Sequence, residues 1–62
     1  MAIGATLDQL RVEARYARDR LALYRARALS AKPTSPARMR ELERAAEDSE
    51  QRLRRALDDA AR

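Results

Sequence analysis

Lys32-Pro33-Thr34-Ser35-Pro36 decides how this chain folds, because within five residues it stops one helix and starts another. Pro33 disfavours helical geometry at Lys32 and denies a preceding helix one backbone donor. A helix arriving from the N-terminal side is therefore predicted to end near Ser30 or Ala31. Ser35 is a favoured cap residue, and Pro36 is pre-shaped for the first helical position, where no donor is needed.

Upstream, Thr6 and Gln9 have capping-box spacing and Asp8 puts a negative charge in the first turn, so the first helix should begin at Leu7. Leu7, Leu10, Ala14, Ala17, Leu21, Tyr24, Ala28 and Ala31 then alternate steps of three and four, the seam of a helix that packs on another helix. Downstream, Met39, Leu42, Ala46, Ser49, Leu53, Ala56 and Ala60 repeat the spacing. The predicted fold is all-α, an antiparallel two-helix hairpin: a helix over about 7–31, a bend at 32–35 and a helix over about 36–60. One domain covers residues 1–62.

Facing positions should alternate large and small if the layers are to fill. One alignment does so: Ala31 on Met39, Ala28 on Leu42, Tyr24 on Ala46, Leu21 on Ser49 and Ala17 on Leu53. It also brings Arg25 near Glu43 and Arg18 near Glu50. A shift of one heptad would set Leu21 on Leu42 and Ala17 on Ala46, and is the less even packing.

A core in a chain of fewer than about 70 residues rarely supplies more than ~3–5 kcal/mol, and a seam this rich in alanine should supply less. With no cysteine and no histidine, disulfides and the usual metal ligands are not there to help. Association with a further helix is the remaining route to stability. Val12, Tyr16 and Leu23 fall in a narrow arc of the first helix on the side away from the seam, with Ala5 and Ala26 beside them. Scattered surface apolars are ordinary. Their clustering predicts a partner face, closing either a homodimer that is a four-helix bundle or a complex with a helix of another protein.

The formal net charge is +4, and Arg20, Arg25, Arg27, Lys32, Arg38 and Arg40 span a stretch without an acidic residue. Folding at the bend should gather this charge at one end, a candidate phosphate-binding surface for nucleic acid. Against that, Tyr16 and Tyr24 are the only aromatics, and no helix-turn-helix, zinc or ribonucleoprotein signature is present. A solvated face that keeps the protein soluble is the plainer reading. The thirteen arginines against one lysine are equally explained by a GC-rich genome.

Catalysis is not expected: there is no histidine or cysteine to serve as base or nucleophile, and two packed helices enclose no pocket. Glu43, Glu47 and Glu50 share a face at di-metal spacing, but such sites also draw on histidine. Ion pairs with arginine are the simpler role. No cofactor, metal or small-molecule substrate is expected. No segment has the apolar run of a signal peptide or spanning helix, and the second residue is Ala2 rather than the glycine of myristoylation. A cytoplasmic location without membrane association is the expectation.

The segments Leu23-Tyr24-Arg25-Ala26, Pro33-Thr34-Ser35-Pro36-Ala37-Arg38 and Arg40-Glu41-Leu42-Glu43-Arg44 resemble short helical-hairpin proteins of actinobacteria, over roughly Leu10 to Leu57. The resemblance implies a bacterial cytoplasmic setting and assigns no site. In architecture alone the chain is also similar to the Rop hairpin, which dimerises into a four-helix bundle and binds RNA. No RNA-contacting motif carries over, and fold does not settle function.

The sequence thus predicts a non-enzymatic protein-interaction hairpin, either self-associating or a small regulatory subunit on a helical partner. The alternative is a regulatory hairpin that binds nucleic acid through its basic bend end.

Overall fold

A computed structural model describes residues 6–30 and 32–61. Two helices, α1 (Leu7–Leu29) and α2 (Pro36–Ala60), pack against each other, and no strand is present among the described residues. The molecule is elongated, with principal extents of 46 × 21 × 16 Å.

Local chemistry fixes both helix starts. At α1 the Gln9 N–H donates to Thr6 Oγ1 at 3.2 Å and the Thr6 N–H donates to Gln9 Oε1 at 2.9 Å, a complete capping box. At α2 the Arg38 N–H donates to Ser35 Oγ at 3.3 Å, with Pro36 in the first turn.

The end of α1 at Leu29 comes one to two residues before the Ser30 or Ala31 predicted from Pro33. The Ser30 N–H is shared between the carbonyls of Ala26 (3.1 Å) and Arg27 (3.2 Å), and both Ser30 Oγ and the Lys32 N–H donate to Arg27 O. The bond from Lys32 back to Arg27 closes the helix end in the manner of a Schellman motif. Three donors converging on one carbonyl draw the last turn tight, so the chain leaves the helix axis before the proline acts.

The seam is thin. Leu10, Ala14, Leu21, Leu42, Ala46 and Ser49 are buried, while Leu7, Ala17, Tyr24, Met39, Leu53 and Ala56 are half-buried. Leu21, Leu42 and Ala46 form the central cluster, with Ala17, Tyr24 and Met39 packed around it. No large side chain among the described residues is sealed off: the three buried leucines retain 6–8% of their exposure. The accessible surface is 5273 Å², against about 4,100 Å² for a compact protein of this mass. No buried side-chain oxygen or nitrogen among the described residues lacks a hydrogen-bond partner.

The register follows from two ion pairs that cross the seam, Arg25 to Glu43 at 3.3 Å and Arg18 to Glu50 at 3.8 Å. Both belong to the alignment that sets Tyr24 on Ala46, and a one-heptad slip would part them. Two seam assignments need correction. Ala28, expected over Leu42, is exposed, because Tyr24 covers that end of the core and the chain turns away at Ser30. Ala60 is exposed in the last turn of α2. The expected contact of Ala31 with Met39 involves a residue outside the described ones, as does Ala5 beside the second stripe.

The two helices differ on their outer sides. The side of α2 away from the seam carries Arg40, Arg44, Glu47, Asp48, Gln51 and Arg55, all exposed and none apolar. The corresponding side of α1 carries the second apolar stripe.

Candidate interaction surface

Steps of four and seven residues along α1 place Val12, Tyr16 and Leu23 on one face because a helix turns about 100° per residue. That face points away from α2, since the α1 residues that α2 covers lie on the other side. Val12 is 66% exposed, Tyr16 62% and Leu23 68%. Ala26 continues the face towards the bend and is exposed.

Polar neighbours shape this stripe. Arg20 lies over the Tyr16 ring with its guanidinium carbon 5.5 Å from the ring centre, a contact that holds the ring and its cation together at the surface. Asp19 falls between Tyr16 and Leu23, and its Oδ2 is 4.0 Å from Arg15 Nε, one turn back on the same helix. The surface is an apolar strip with one carboxylate set into it and arginines along its borders.

The basic end differs from the sequence expectation. Glu41 and Glu43, just beyond the acid-free stretch, fold onto it: Arg38 pairs with Glu41 at 3.1 Å and Arg25 with Glu43 at 3.3 Å. Arg20 is not at the bend at all, lying roughly 14 Å along the helix from its end and engaged with Tyr16. Of the six candidate phosphate-binding cations, only Arg27, Lys32 and Arg40 make neither an ion pair nor a ring contact among the described residues.

The three carboxylates on one face of α2 part ways as well. Glu43 and Glu50 turn to arginines of α1, and among the described residues no group of three potential ligands gathers to hold a metal ion. The hollows beside the helix pair are open grooves. One, near the free ends of the helices, is lined by Ala14, Arg18, Glu50, Leu53, Arg54 and Leu57.

Two exposed leucines were not foreseen. Leu29, 89% exposed at the end of α1, lies off both stripes by its spacing. Leu57 is 39% exposed and flanks the seam of α2. An additional contact links Tyr24 to the bend: its hydroxyl accepts the Ser35 N–H at 2.6 Å. No local motif signals that bond, because the partners are eleven residues apart and meet only after the chain folds back.

Compared with known families, curated proteins and solved structures, the chain matches none. No helix among the described residues is long and apolar enough to cross a membrane.

Proposed function

We propose that this chain is a non-catalytic interaction module, a helical hairpin that completes its burial by setting the outer face of α1 against another helix. The observation that carries the reading is the exposure of Val12, Tyr16 and Leu23, more than three-fifths in each case, on the face that α2 does not reach. The thin seam supports it, since a hairpin whose leucines all touch solvent gains from covering a second apolar face. A second copy of the chain is the simplest cover, giving four helices in all. A helix of a different protein would use the same face.

Sedimentation velocity over a micromolar concentration range tests the reading, with Tyr16→Ser and Leu23→Ser as the comparison. Concentration-dependent association that both substitutions abolish, with helical content kept, is the expected result. A folded monomer that captures no protein through this face and is indifferent to both changes would remove the proposal.

Binding of nucleic acid is the weaker reading, because Arg25 and Arg38 are partnered by glutamates and Arg20 lies away from the bend against Tyr16. Capture from the native cell with and without nuclease separates the two: a partner that survives nuclease is a protein.

A further inference from the structure

The outer face of α1 has a direction written into it. Gln9, Val12, Tyr16, Asp19, Leu23 and Ala26 advance by alternating steps of three and four, the core positions of a helix pair. Reading them against a second copy of themselves distinguishes the two ways the helices can run.

In a parallel pair each position meets its own copy. Asp19 would then face Asp19 in the middle of the contact, two carboxylates in one layer. The flanking residues would fare no better: Asp8 would approach Glu13 of the other copy, and Arg15 would approach Arg20. Every charged layer sets like against like, which disfavours that arrangement.

Running antiparallel, the same positions complement one another. Val12 meets Leu23, an apolar layer that two-fold symmetry repeats at the other end. Tyr16 meets Asp19, so the phenol O–H can donate to the carboxylate that interrupts the stripe. Glu13 and Arg20, on one flank, come together as opposite charges, again twice. Gln9 meets Ala26 in the outermost of these layers.

Resting on the self-association reading above, we propose that two copies pair through α1 in antiparallel orientation, centred between Tyr16 and Asp19. The seam and the stripe lie on nearly opposite sides of α1, so α1 and its copy form the middle and each α2 lies outside. The assembly is a row of four helices rather than a square bundle. A contact of one helix pair, about 34 Å long, buries on the order of 800 Å² in total. That lies below the standard size of specific interfaces, so the dimer is a weak, reversible one.

The chain has no cysteine, which makes single-cysteine pairing a clean test. In the proposed register Gln9→Cys mixed with Ala26→Cys forms a mixed disulfide, while neither variant cross-links to itself, because its two copies are about 26 Å apart along the axis. A spin label on Ala26→Cys gives the same answer without bond formation, reporting a separation near that value. Self-cross-linking of Ala26→Cys, or a dimer in which neither the mixture nor the single variants react, would overturn the antiparallel register and leave self-association standing. A monomer at every concentration would remove both.

Discussion

The Tyr24 hydroxyl accepts the backbone N–H of Ser35 at 2.6 Å, so the residue that caps α2 is held by a side chain of α1. The ring packs against the central cluster while its oxygen closes the bend. One side chain therefore serves core and turn together. Tyr24→Phe keeps the packing and loses the bond, and should cost about 0.5–1.5 kcal/mol. For a domain of this size that corresponds to a fall in melting temperature on the order of 5 °C. Thermal unfolding followed by circular dichroism measures it, and an unchanged midpoint would show that water replaces the hydroxyl at no loss.

Ser35 itself caps α2, and no acidic residue occupies the first turn of that helix. Ser35→Ala should destabilise by about 1 kcal/mol, Ser35→Gly by only a few tenths. Ser35→Asp keeps the cap acceptor and adds a negative charge at the positive end of the helix dipole, so it should equal or exceed the parent. Urea unfolding of the three variants gives the order, and an aspartate weaker than the alanine would contradict the cap assignment.

Leu21 and Leu42 carry the central cluster. Truncating a buried leucine to alanine costs roughly 2–5 kcal/mol, comparable to the ~3–5 kcal/mol a core of this size supplies. Leu21→Ala and Leu42→Ala should therefore be largely unfolded at dilute concentration. Val12→Ser, on the exposed stripe, should keep the helical content at low concentration, its stability within about 0.5 kcal/mol of the parent. Far-ultraviolet circular dichroism separates the two outcomes.

The register can be tested through charge. Arg25 is exposed and Glu43 partly so, and they lie 3.3 Å apart, so a double-mutant cycle with Arg25→Ala and Glu43→Ala should return a coupling of about 0.2–1 kcal/mol. The coupling should shrink as salt rises from low to physiological ionic strength. A zero coupling at low salt would mean that this ion pair does not help to hold the alignment in solution.

Much of this molecule is readable in its residues because its signals are local or periodic. Thr6 with Gln9 and Ser35 with Pro36 each name a helix start within a few residues, and the crossing pairs of Arg18 and Arg25 follow once volumes set the alignment. What escapes is decided where periodicity stops. A repeat continued through Ala28 assumes an endless helix, whereas the convergence of Ser30 and Lys32 on the Arg27 carbonyl ends it early. The acid-free stretch is a fact about order along the chain, and folding sets Glu43 beside Arg25 regardless. Tyr24 counts as a large seam residue by spacing, and its oxygen finds Ser35 only in three dimensions.

The outer side of α2, wholly polar from Arg40 to Arg55, bears on how far any assembly can grow. A helix that is sticky on two faces propagates contacts, and fibres arise when each added copy offers the next a fresh apolar surface. Here only α1 has two such faces, and one of them is already covered by its own α2. Each hairpin therefore brings one adhesive side and one inert side to a meeting. Were two copies to meet through α1, the polar outer side of each α2 would face outward and offer a third copy no apolar helix face.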